Sequence, residues 1–246
     1  MNYSPPNLEL PRKNWVDRVQ ALFEVLLICG LISSLLAGLL FYGFQGKGAM
    51  DPLSGATAFS IFLLLESAIT LLFLVMILKF HRETIFSFGL HWERWKSQLL
   101  IGLAIVPFLF LINAVVAFFF RVYLPQYYIE KNPLTDLIHT PQQLALIIFS
   151  ALIAGGIKEE LQRAFILTRF RACVGGAGLG LVLWSIGFGA GHYVQGVQGV
   201  VIAAIYGLIF GIVYLLSGSL IAPIIAHGAY DTIALLAYWF AYGRFR

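Results

Sequence analysis

The chain has 246 residues, 60% of them hydrophobic and 11% charged, with a mean hydropathy of +0.86. Soluble domains carry about 25% charged residues, so the composition excludes one and indicates an integral membrane protein, a single helical bundle with short loops. The net charge of +4 requires no nucleic-acid partner, because basic residues gather in short cytoplasmic loops of membrane proteins.

Residues Met1 to Asp17 read as a polar, proline-bearing cytoplasmic tail. The apolar run from about Val19 to Phe44 is too long for the core of a cleavable signal peptide and reads as span one. Arg12, Lys13 and Arg18 beside it place the N-terminus inside. After the short loop Gln45 to Pro52, span two covers about Ser54 to Leu78 and holds Glu66, which needs a partner elsewhere in the bundle. Lys79, Arg82, Arg94 and Lys96 mark a cytoplasmic loop, where Trp92 and Trp95 suit an interfacial turn. Span three, about Leu99 to Phe120, admits Pro107 as a kink and Asn113 as interhelical glue. The loop Arg121 to Pro141, rich in Tyr and Pro, falls outside.

Span four, about Gln142 to Ala172, ends at Arg169 and Arg171 on the inside. A turn over Gly175 to Gly180 leads to spans five (about Leu179 to Val194), six (about Val197 to Leu216) and seven (about Leu220 to Tyr242). Arg244 and Arg246 then sit on the wrong side for the charge rule, so the expected count is seven with a range of six to eight. The expected fold is thus an all-α polytopic transmembrane bundle. Residues 1–136 would form its N-terminal helices and outer loop, and residues 137–246 its chemical core. Gly187/Gly191 and Gly207/Gly211 predict close helix approaches. Cys29 and Cys173 read as packing residues, and His81, His91 and His139 as loop residues without a signal.

Within span four, Lys158, Glu159, Glu160 and Arg163 interrupt an apolar run, and charged groups at that depth pair, line a cavity or do chemistry. On a helix, both carboxylates could reach Arg163 at three- and four-residue spacing. Two later spans each carry one histidine, His192 and His227, and Asp231 follows His227 by one turn. At 1.5 Å per residue, Glu159, His192 and Asp231 lie about 20 Å from the arginine-rich side, and His227 about 12 Å. Such a set could activate water against a peptide carbonyl, with a carboxylate as base and a histidine holding the water or an oxyanion. His192, His227 and Glu160 are also a candidate zinc set with an open fourth position. The spacing leaves metal-bound and metal-free water both open. A non-catalytic membrane scaffold or a small proton-coupled transporter are the alternatives, although no inverted repeat favours the latter. No H-E-x-x-H, Gly-x-Gly-Asp or Gly-x-Ser-Gly motif of other intramembrane proteases occurs.

Phe188-Gly-Ala-Gly-His192 and His227-Gly-Ala-Tyr-Asp231 resemble the second and third motifs of the CPBP family, the CAAX prenyl-protease type II and bacteriocin-processing (ABI) intramembrane proteases. Gln195-Gly196, Tyr206-Gly207, Gly218-Ser219-Leu220 and Pro223-Ile-Ile-Ala-His227 look like the family's run between them. The first motif, Glu-Glu-x-x-x-Arg, is matched by Glu159-Glu160-Leu-Gln-Arg163 with one residue fewer before the arginine. The resemblance implies a membrane endopeptidase in which Glu159 or Glu160 activates water and His192 positions it. His227 and Asp231 would complete the site, with Arg163 and Phe188 supporting it. It implies a membrane-associated or lipidated peptide as substrate, the bilayer as partner, and a bacterial or archaeal cytoplasmic membrane as location.

Overall fold

The computed structural model describes residues 14–45 and 51–242, the side chains of 44 and 45 excepted. Arg12 and Lys13, most of the Gln45–Pro52 loop, and Arg244 and Arg246 lie outside the described residues. Every regular element among the described residues is a helix, and none is a strand.

Helix α1 (Trp15–Ile28) begins inside the predicted tail, because Asn14 and Asp17 form a reciprocal capping box. The predicted first span is two helices. Gly30 takes a left-handed φ of +98° and breaks the run before α2 (Leu31–Gln45). Helices α3 (Ala56–His81) and α4 (Trp95–Tyr123) follow, the latter continuing through Pro107.

Thr140 caps α5 (Pro141–Ala151) through a capping box with Gln143. The rod then passes without a break into a π-helical stretch, Leu152–Glu159, into α6 (Glu160–Arg169) and into a second π-helical stretch, Phe170–Val174. Gly175 and Gly176, at φ +117° and +103°, turn the chain into α7 (Ala177–Gly191), followed by α8 (Gly196–Ser217) and α9 (Ile221–Tyr242). Helix α7 packs on α8, α4 on α9, and α3 on α5.

Polar and apolar groups are distributed as in a lipid-facing bundle. Leu35, Phe80, Leu100, Leu111, Phe118 and Leu216 point outward, while Glu24, Glu66, Lys158, Glu160 and Arg163 are buried. Five stretches are long and apolar enough to cross a membrane: Trp15–Gly43, which takes in α1 and α2 across the Gly30 break, Ala56–His81, Trp95–Tyr123, Tyr193–Ser217 and Ile221–Tyr242. The expected count of seven differs for two physical reasons. The Pro141–Val174 rod carries six charged residues, and α7 has 15 residues, about 22 Å at 1.5 Å each against a core of about 30 Å.

Some smaller expectations change as well. A Cβ on Gly187 or Gly191 would meet nothing within 4 Å, whereas one on Gly189 would lie 2.8 Å from Ala204 Cβ. The α7–α8 approach therefore runs through Gly189 and Gly207, the latter against Ser185. His81 is no idle loop residue. It ends α3 and binds Glu24 at 2.5 Å, while Arg169 donates to Glu24 (2.7 Å) and to Glu83 (2.8 Å). This network ties α1, α3 and α6 together at one end of the bundle.

Candidate functional site

Glu159 ends the π-helical stretch and Glu160 opens α6, and neighbours on a helix point about 100° apart, so the two carboxylates leave the rod in different directions. Stretches of π-helix are frequent at functional sites. Glu160, 1% exposed, turns into the bundle, pairs with Arg163, and accepts from His227 Nδ1 at 2.8 Å. Glu159 turns the other way, into a cavity of about 630 Å³. The expectation that both carboxylates meet Arg163 thus holds only for Glu160.

Arg163 is fully buried. Its Nε and Nη2 have no hydrogen-bond partner among the described residues. Its guanidinium instead lies between the rings of Phe188 (5.2 Å) and Phe210 (5.3 Å), where the ring faces attract the cation. Phe210 also stacks on His227 at 4.7 Å. The Phe188 ring lies 4.6 Å from that of His192 and 6.2 Å from that of His227. One aromatic pair therefore positions the arginine and both imidazoles.

His192 is the C-cap residue of the short helix α7. Its Nδ1 donates to the Phe188 carbonyl at 2.8 Å, since a carbonyl can only accept, and Nε2 is left as the second nitrogen. His227 is fixed in the same manner: Nδ1–H goes to Glu160, and Nε2 faces Glu159 Oε2 at 3.9 Å and Asp231 Oδ2 at 3.6 Å. Glu159, His192, His227 and Asp231 all line the cavity, with His192 within electrostatic reach of both carboxylates. Glu160 and Arg163 stand behind it. The cavity extends past Asn113, Tyr206 and Tyr230 to the loop segment 128–132. Asn113 donates to the Tyr230 hydroxyl at 2.8 Å, so the predicted glue residue also shapes the wall.

The candidate zinc set of His192, His227 and Glu160 is not assembled. Both oxygens of Glu160 are engaged by Arg163 and His227 Nδ1, on the face of the imidazole away from the cavity. Among the described residues no group of three or more His, Cys, Asp and Glu side chains could hold a metal ion. Cys29 and Cys173 form no disulfide.

Glu66, expected to have a partner elsewhere in the bundle, finds it in Lys158 on a different helix (2.8 Å). Two contributors escaped the sequence. Phe210 sits in an ordinary apolar run, and Gly155 is the second. A Cβ there would lie 2.9 Å from Asp231 Oδ2 and 3.2 Å from His227 Nε2. Its only trace in the sequence is the Ala-Gly-Gly run before the charged cluster. Because the crowded atoms are side-chain ends, Gly155→Ala should leave the fold intact. It should displace Asp231 and His227 from the cavity wall, with a melting temperature near that of the wild type in thermal denaturation.

Residues 140–233 match the model of the family described as type II CAAX prenyl endopeptidase Rce1-like. The matched segment begins at the cap of α5 and ends within α9, so it contains Glu159, Glu160, Arg163, His192, His227 and Asp231. No curated protein and no solved structure is significantly similar to the chain.

Proposed function

We propose, on the premise that residues 140–233 belong to the CAAX-type membrane protease family, that the chain is an intramembrane endopeptidase using Glu159 as its general base. The observation that carries this reading is the division of labour between the adjacent glutamates. Glu159 faces the cavity with His192, His227 and Asp231, while Glu160 is consumed by Arg163 and His227.

A water between Glu159 and His192 would have both protons directed. One would go to the Glu159 carboxylate and the other to Nε2 of neutral His192, whose Nδ1–H is already donated. Attack on a peptide carbonyl moves the first proton to Glu159 and forms the C–O bond and an oxyanion. Collapse breaks the C–N bond, and Glu159 returns its proton to the leaving amine. Protonated on both nitrogens, His227 would donate Nε2–H to the developing oxyanion, with its Nδ1–H held from behind by Glu160 and Asp231 facing the ring at 3.6 Å.

The substrate class that fits is a membrane-associated or lipidated peptide, entering a cavity with both apolar and polar walls. Leu63, Ile202 and Leu235 supply the former, Gln195 and Gln198 the latter. The polar rod and the short helix α7 would supply the sixth and seventh crossings, their charges facing the bundle interior. Residues 1–136 would serve as a supporting half and 137–246 as the half bearing the chemistry. His192→Ala should cut turnover of a lipidated peptide about a hundredfold with little change in thermal stability, because the ring makes one hydrogen bond to its own helix. Wild-type turnover in that variant would remove His192 from the mechanism.

A further inference from the structure

Lys158 lies beside the reactive pair and has no role in the chemistry just described. It is buried within the rod, where an unpaired ammonium would be costly. Its Nζ sits 2.8 Å from Glu66 Oε2 on α3 and 3.6 Å from Glu159 Oε1. Glu66 is itself held. Ser33 of α2 donates to its Oε1 at 2.8 Å, and the Thr70 hydroxyl lies 3.0 Å from the same oxygen and 2.7 Å from Ser33 Oγ. The left-handed Gly30 that separates α1 from α2 approaches the same place, since a Cβ there would come within 3.9 Å of Glu66 Oε1.

The two distances differ in a way that matters. With Glu159 alone as counterion, the ammonium would close on it and draw the carboxylate out of the cavity. Glu66 holds Nζ in hydrogen-bond contact with itself and leaves it at longer range from one oxygen of Glu159. The other oxygen, Oε2, remains directed toward His227 Nε2. The ammonium thus sets the direction of the Glu159 carboxylate and compensates its charge without occupying the oxygen that faces the cavity.

We propose that Lys158, anchored by Glu66 from the N-terminal half, is a positioning residue that aims Glu159 into the cavity as a carboxylate. The proposal rests on the endopeptidase reading for its kinetic consequences. It brings into the site a part of the chain outside the matched segment 140–233. Ser33 and Thr70 are the outer end of the same chain of contacts.

The experiment compares the full-length protein in lipid nanodiscs with its Glu66→Gln, Lys158→Met, Lys158→Arg and Glu66→Gln/Lys158→Met variants. Each is assayed for kcat and KM on a lipidated peptide. Each is also treated with dicyclohexylcarbodiimide, an apolar reagent that labels protonated carboxyls, with the adduct at Glu159 counted by mass spectrometry. A misdirected base costs on the order of tenfold to a hundredfold in kcat. That loss is expected in Glu66→Gln and in Lys158→Met, with KM changed less than about twofold, partial recovery in Lys158→Arg, and a double variant no worse than Lys158→Met, as for groups acting as a unit. Glu159 labelling should rise severalfold in Lys158→Met. A purely structural ion pair would lower thermal stability while leaving kcat per folded molecule and Glu159 labelling at wild-type levels, and that result overturns the proposal. The labelling arm reads the same whether or not peptide is cleaved. An inactive wild type with increased labelling in Lys158→Met would therefore sink the endopeptidase reading and leave the positioning role standing, and unchanged labelling would sink the latter.

Discussion

Glu159→Gln should abolish hydrolysis to within about a thousandth of the wild-type kcat while leaving KM and thermal stability nearly unchanged. The amide is isosteric with the carboxylate but cannot take a proton from water, and general bases contribute roughly 10²–10⁴-fold. Binding should survive, because Glu159 is one of many groups around the cavity. Stability should survive because the side chain makes no close contact: its nearest ionic partners are Lys158 at 3.6 Å and His227 at 3.9 Å. Lys158 keeps Glu66 as a counterion at 2.8 Å when the Glu159 charge is removed. Progress curves with a lipidated peptide, read beside denaturation of the same preparation, measure both quantities.

The second large effect is on the fold. Arg163→Met should destabilise the bundle by about 3–5 kcal/mol, the cost of breaking a buried pair and leaving the other charge uncompensated. The uncompensated charge is Glu160, 1% exposed, which would keep only the hydrogen bond from His227. The guanidinium between Phe188 and Phe210 would also be lost, and with it the packing that sets both imidazoles. Activity should fall together with stability, unlike in Glu159→Gln. Unfolding in detergent of both variants would separate a loss of chemistry from a loss of structure.

The residues of the site were legible because each is an exception to its surroundings. A Glu pair, two histidines and an aspartate inside apolar runs carry a cost that only pairing or function offsets, and depth arithmetic put most of them near one plane. The proposed division of labour was not legible, since three- and four-residue spacing puts both Glu159 and Glu160 within reach of Arg163, and only the packed bundle shows which carboxylate takes the arginine and which lines the cavity. The donors of the candidate zinc set were legible as well, but not that Arg163 and His227 Nδ1 engage both oxygens of Glu160. Glu66 announced that it needed a partner but could not name Lys158, because a pairing between separate helices leaves no mark on either one's periodicity. The span count suffered from a related ambiguity. A rod stiff with charge and a 15-residue helix satisfy a bundle's packing without satisfying the length and apolarity of an isolated crossing.

The most direct test sets the two glutamates against each other in one preparation. Wild type, Glu159→Gln and Glu160→Gln are reconstituted in the same bilayer with the same lipidated peptide, and new termini are quantified by mass spectrometry beside each protein's melting temperature. The expected result is a stable, inactive Glu159→Gln and a Glu160→Gln whose main defect is lost stability. A stable but inactive Glu160→Gln together with a Glu159→Gln that cleaves at the wild-type rate would contradict the assignment of the cavity-facing carboxylate as the base.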